Sequence, residues 1–213
     1  MTTTTTVHLV RHGEVHNPEG VLYGRLPGYP LSDRGLAMAD RVAEALAGRD
    51  VRHLVASPLE RTRQTAQPLA DRLGLPVGVD ERIVEAGSRL EGRRLAGGRG
   101  VLRAPAAWRH LWNPVRPSWG EPYGEVLARM LRAVSAAREF ARGHEAVLVS
   151  HQLPIYATRR HLEGRRLLHD PRRRQCSLCS ITSLHFEDDV VVEVAYSEPA
   201  GDLLPVKAQP PGA

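Results

Sequence analysis

Four residues of strand character, Val7-His8-Leu9-Val10, run without a break into Arg11-His12-Gly13-Glu14, and this junction constrains the chain more than any other stretch. A short run of apolar and β-branched residues predicts a buried strand. In an open α/β sheet, ligands bind where strands end at their carboxyl edge. The junction therefore sets an arginine, an imidazole and a glycine turn where such a sheet holds its chemistry. Arginine's planar fork makes paired, charge-assisted hydrogen bonds to a phosphate. Histidine serves as a nucleophile or a proton carrier. Glycine lets the backbone come close to a ligand.

Further segments repeat the sequence of strand and then helix. Leu54-Val55-Ala56-Ser57 predicts a second strand and Pro76-Val77-Gly78-Val79 a third. Ala146-Val147-Leu148-Val149-Ser150 is the most apolar and so belongs at the centre of the sheet. Ser32 is placed to cap a helix whose apolar residues, Leu36, Ala39, Val42, Ala43 and Leu46, recur at helical spacing before Gly48. Ser57-Pro58 opens another, carrying Arg61, and residues 125–140 and 154–162 predict two more. Residues 181–186 and 190–196 alternate around Glu187-Asp188-Asp189 as a hairpin. This alternation predicts a three-layer α/β/α sandwich with a mostly parallel six-stranded sheet and one antiparallel strand. The expected organisation is a disordered lead-in over 1–6, a catalytic domain over 7–196 with a cap insert at about 92–124, and a C-terminal tail over 197–213. The insert holds clustered Gly97, Gly98 and Gly100 and all three tryptophans, Trp108, Trp112 and Trp119.

Five stretches occur in a telling order: Arg11-His12-Gly13-Glu14, Pro30-Leu31-Ser32-Asp33-Arg34-Gly35, Ser57-Pro58-Leu59-Glu60-Arg61-Thr62-Arg63-Gln64-Thr65-Ala66, Glu91-Gly92 and Val149-Ser150-His151. Together they resemble the histidine phosphatase superfamily, also called phosphoglycerate mutase-like, on its phosphatase branch. The resemblance runs over roughly residues 7–196. It implies a phosphohistidine nucleophile at His12 and a phosphate pocket of Arg11, Arg61 and His151. It implies a glutamate as proton donor ahead of Glu91-Gly92. Glu85 matches best, and Glu81 and Glu14 remain alternatives. Asn17 stands near the position from which the family's asparagine holds the transferred phosphoryl group, one residue short of the common spacing; an Asx turn into Pro18 is the plainer reading. Gln152 replaces the usual glycine after the second histidine, so its side chain would contact or crowd the ligand.

The implied activity is that of a histidine acid phosphatase-like phosphomonoesterase, a metal-independent hydrolase acting on a small-molecule phosphate ester with no cofactor. Mutase-type phosphoryl transfer is the alternative, and an inactive phospho-ligand-binding protein is a further one. Composition agrees with a folded protein of this kind: 213 residues with 42% hydrophobic and 25% charged residues leave ample length for a core. The net charge of +5 favours anionic partners. The basic charge is almost all arginine, with Lys207 the sole lysine, and no nucleic-acid module or aromatic interleaving accompanies it. Arg172-Arg173-Arg174 reads as a solvated loop. No apolar run spans a membrane and no secretory signal opens the chain, so the expected location is cytoplasmic. Cys176 and Cys179 stand C-x-x-C before a strand rather than a helix, with no second pair to complete a zinc site, and read as two reduced thiols. The sequence leaves the oligomeric state open, a homodimer included.

Overall fold

The apolar strand before Arg11 and the apolar strand before His151 become neighbours at the centre of one sheet. The structure, a computed structural model, describes residues 2–94 and 120–205. Its main elements are β1 (Thr4–Arg11), α1 (Asp33–Leu46), β2 (Val51–Ala56), α2 (Glu60–Leu73), β3 (Gly78–Val79), α3 (Tyr123–Phe140), β4 (Glu145–Ser150), α4 (Gln152–Leu162), β5 (Ile181–Glu187) and β6 (Val190–Ser197). The strands lie in the order β3-β2-β4-β1-β5-β6. Pairs β1–β4, β4–β2 and β2–β3 are parallel, while β5 opposes both β1 and β6. One strand of six therefore runs against the others, as the βα alternation and the late hairpin predict.

Burial on both faces explains why the central strands are apolar throughout rather than alternating. Val7 and Leu9 of β1 join Ala146 and Leu148 of β4 under Met130, Val134 and Ala137 of α3 and Ile155 of α4. Val10, Val147 and Val149 face the other way, into Met38, Val42 and Leu46 of α1 and Leu69 of α2. Two hydrophobic cores thus sandwich one sheet. Truncating a fully buried leucine such as Leu148 to alanine costs about 2–5 kcal/mol in a core of this kind. No helix among the described residues is long and apolar enough to cross a membrane.

Several expected boundaries move. β1 begins at Thr4, because Thr4, Thr5 and Thr6 pair with Glu187, Phe186 and His185 of β5. The threonine run is therefore not a disordered lead-in; its β-branched side chains suit a half-buried pleat. β2 begins three residues early at Val51, α3 two early at Tyr123 and α4 two early at Gln152. β3 shrinks to two residues. The expected tail is structured through its first part: Ala200 is buried, and Leu203 and Leu204 pack against the core. Of the expected insert, residues 95–119, with the three tryptophans, lie outside the described residues. Its described ends are bridged, Arg94 to Val21 and Gly120 to Ser88. Cys176 and Cys179 are free and enter opposite cores. Burial pushes both thiols up, Cys179 to about 12.

Candidate active site

Parallel pairing brings the carboxyl ends of β1, β4 and β2 to one edge, with Arg11 opposite Ser150 and Ala56 opposite Val149. The chain beyond each strand stays tied to its neighbour: His12 N donates to Ser150 O at 3.1 Å and Ser57 N to Val149 O at 3.0 Å. Arg11, His12, Ser57 and His151, far apart in sequence, therefore meet. The His12 and His151 rings lie 5.2 Å apart, centre to centre, at 62°. Arg61 enters from the first turn of α2.

His12 is buried, and its Nδ1 lies 2.8 Å from Gly13 O. A carbonyl only accepts, so Nδ1 carries the proton and Nε2 keeps its lone pair. Burial, followed by the charges of Arg61 and Arg11, pushes the His12 pKa well below the ordinary value. His151 is buried and contacted at both ring nitrogens. Nε2 lies 2.8 Å from Ser57 Oγ and Nδ1 lies 3.4 Å from the guanidinium of Arg61. Since a guanidinium only donates, Nδ1 is the acceptor and Nε2–H donates to the serine. Burial, then Arg61, His12 and Arg11, lower its pKa as well. Both imidazoles are neutral near pH 7.

The arginines are fixed by backbone carbonyls. Arg11 donates to Cys176 O at 2.7 Å and Arg61 to Gly24 O at 2.6 Å. The Arg61 guanidinium also lies over the Tyr23 ring, 4.7 Å from its centre. The Nε of each arginine is buried without an acceptor among the described residues. Buried donors in this state are unusual and fit an anion as their partner. His151 caps α4, so the helix N-terminus adds its partial positive charge at the same edge.

The three carboxylate alternatives separate by surroundings. The Glu14 carboxylate is spent on Ser32 Oγ at 2.6 Å and Arg34 at 3.2 Å. Glu81 is exposed. Glu85 lies where Arg61, Arg174 and Arg11 act on it, and burial outweighs them, together with the Ala86 N–H, to push its pKa up. Two other residues have surroundings that the sequence did not reveal. Asn17 spends both ends of its amide on Val21, Nδ2 donating to O at 2.8 Å and Oδ1 accepting from N at 3.0 Å. These bonds close the loop after β1 and leave the second Nδ2 hydrogen of the amide available to another acceptor. Arg174 is half-buried rather than solvated: its Nε donates to His169 Nε2 at 2.8 Å and its charge reaches Glu85. Arg173 stays exposed, as expected. Gln152 donates weakly to Cys176 O at 3.5 Å, and its Oε1 is buried without a partner among the described residues.

Ser57, Tyr23 and Thr65 were not among the expected site residues. Thr65 Oγ1 accepts from Gly13 N at 3.1 Å, which pins the turn after His12. Ser57 and Thr65 lie inside the quoted Ser57–Ala66 stretch, and Tyr23 directly precedes Gly24. Their roles depend on partners 37 to 94 residues away, as the Gly24–Arg61 and Ser57–His151 bonds illustrate. Among the described residues no group of three or more His, Cys, Asp or Glu side chains is gathered as for a metal ion.

An α/β sandwich with two neutral imidazoles and two buried guanidiniums at the carboxyl edge of its central strands makes a pocket suited to an anion. Residues 7–198 match the model of the histidine phosphatase superfamily, branch 1, and the chain belongs to that superfamily. An uncharacterized Mycobacterium tuberculosis protein, Rv0525, is 54% identical over 196 residues, covering 92% of this chain and 97% of its own. A Yersinia pestis protein described as a probable phosphoglycerate mutase, GpmB, is 29% identical over 203 residues, covering 92% of each. The solved structure of mycobacterial glucosyl-3-phosphoglycerate phosphatase Rv2419c with VO3 is 28% identical, with a TM-score of 0.67, covering 88% of this chain and 99% of that one.

Proposed function

We propose that the protein is a phosphomonoester hydrolase that works through a phosphohistidine on His12. The observation that carries this reading is the locked tautomer of His12: Nδ1 donates to Gly13 O, so Nε2 is a free nucleophile beside two buried arginines. The phosphoryl group of a small-molecule ester binds against Arg11, Arg61, His151 and the N-terminus of α4. Their charges and dipoles are already in place, which is the main lever in phosphoryl transfer. His12 Nε2 attacks phosphorus, the N–P bond forms and the ester P–O bond breaks. Glu85, whose pKa burial pushes up so that its acid form is favoured, gives its proton to the leaving oxygen. Water then attacks phosphorus, Glu85 takes its proton, and inorganic phosphate leaves with His12 restored. Gln152, at the start of α4, borders the phosphoryl group and limits the size of ester that fits.

His12→Ala tests this directly. The variant should fold, lose turnover and fail to take up acid-labile phosphate from a labelled ester; retained turnover sinks the nucleophile assignment. The likeness to a probable mutase favours a second reading, in which the phosphoryl group returns to a bound acceptor. One metal-chelated reaction separates the two when both free phosphate and phosphoglycerate isomers are followed. Hydrolysis predicts steady phosphate release without a bisphosphoglycerate primer. Rapid isomerisation with little phosphate would establish the mutase instead.

A further inference from the structure

The segment that carries Glu85 is tied down by one carboxylate and two arginines that take no part in the chemistry proposed above. Glu121 accepts two hydrogen bonds from Arg129, Nε to Oε1 at 2.9 Å and NH2 to Oε2 at 3.1 Å. Its Oε2 also accepts from Arg25 NH2 at 2.7 Å and from Gly87 N at 3.4 Å. Each arginine then reaches the main chain on one side or the other of the site. Arg25 Nε donates to Glu85 O at 2.6 Å and Arg129 NH1 to Arg82 O at 2.6 Å. Glu121 N adds a bond to Gly87 O at 2.9 Å. Residues 82, 85 and 87 are thus anchored to one charge cluster. Its members come from the loop after β1, the chain just before α3, and α3 itself.

We propose that Glu121, acting through Arg25 and Arg129, is a positioning residue for Glu85. The proposal rests on the reading of Glu85 as the proton donor. An ion pair at a surface adds little stability, but a carboxylate gripped by a two-bond guanidinium contact has fixed geometry. Arg129 is 9% exposed, so this grip is shielded from water. Burial opposes the charge of Glu121, yet Arg129 and Arg25 outweigh it and hold the carboxyl below its ordinary value, so the cluster stays ionised at neutral pH. A proton donor works only within hydrogen-bond reach of the leaving oxygen. Releasing three main-chain anchors lets its carboxyl wander from that position.

The test uses the full chain and two phosphate esters, an alkyl ester whose leaving group needs a proton and a nitrophenyl ester whose leaving group does not. Glu121→Gln should lower the single-turnover rate of His12 phosphorylation by the alkyl ester by about tenfold to a hundredfold, the scale of a misplaced catalytic group. Phosphorylation by the nitrophenyl ester should slow several-fold less, and the half-saturating ester concentration should change little for either. In a Glu85→Gln background the same substitution should cost less than about twofold, because there is no donor left to position. Arg25→Gln removes an exposed member of the cluster and should reproduce the split with an unchanged melting temperature, which guards against a folding defect in Glu121→Gln. Equal loss on both esters, or a full further loss on top of Glu85→Gln, overturns the proposal while leaving Glu85 as donor. If Glu85→Gln itself slows His12 phosphorylation by both esters alike, the donor reading falls and the proposal with it.

Discussion

Two imidazoles share a pocket with two guanidiniums, and the four groups stay compatible because neither ring is charged. Burial is the leading cause for both, with the arginines adding to it. Glu85 is shifted the opposite way by the same burial, so its acid form survives above the usual carboxylate range. These signs predict the pH dependence of the first chemical step. The rate of His12 phosphorylation by an alkyl phosphate should hold steady from below neutrality down to the lowered pKa of His12, since the ring is deprotonated above it. It should fall as pH rises through the raised value of Glu85, because the acid form is the one that works. Glu85→Gln should lower the rate on an alkyl ester by about a hundredfold or more, the usual scale of acid catalysis, and remove the alkaline fall. Single-turnover measurements across pH read both. An alkaline fall that persists in Glu85→Gln would assign it to another group.

The element that delivers His12 is not the strand alone but its junction with α1. Ser32 caps that helix, its Oγ accepting from Gly35 N at 3.1 Å. Two glycines allow the helix to sit against the turn after His12. A Cβ on Gly35 would lie 2.0 Å from Glu14 O, and one on Gly13 would lie 2.6 Å from Gly35 O. Both obstacles are backbone, which cannot swing aside. Gly35→Ala should therefore cost about 3 kcal/mol or more, the upper end of what overpacking with a forced backbone shift costs. That corresponds to a drop of roughly 10 °C in melting temperature for a chain of this size. A melting point within a degree or two of the parent would show that the junction yields. The pairing of Leu31-Ser32-Asp33-Arg34-Gly35 with Arg11-His12-Gly13-Glu14 is thus a steric match between two distant stretches. The sequence displays the two stretches but not the contact.

Across the whole molecule, the edge of the sheet opposite the pocket is closed by a second charge cluster. Glu145, at the start of β4, accepts from His8 Nε2 of β1 and from Arg49 Nε, each at 2.9 Å. Burial alone would raise its pKa, but the bonds from His8 and Arg49 prevail and hold it at about 2. A depressed carboxylate stabilises the fold above its ordinary pKa, and that stability is lost as pH falls from about 4.5 towards about 2. After allowance for solvent screening the contribution is on the order of 2 kcal/mol. Urea unfolding should show Glu145→Gln less stable than the parent by about that much at pH 6, with the gap shrinking by pH 3. A constant gap would mean that packing rather than charge holds the site. The sequence by itself determined the layers and the sheet edge at which the candidate site lies. Hydrophobic runs, helical stripes and caps are local, and each states its own conformation through the periodicity of the backbone. The order of the motifs added His12, Arg11, Arg61 and His151 as candidate site residues, and the fold gathers them at that edge. Tertiary structure alone decided which glutamate sits among the arginines, that Asn17 closes a loop, that Arg174 turns inward and that Thr4 to Thr6 extend β1. Each of those outcomes depends on a carbonyl, charge or strand brought from tens of residues away, and no local pattern records what packing will place beside a side chain.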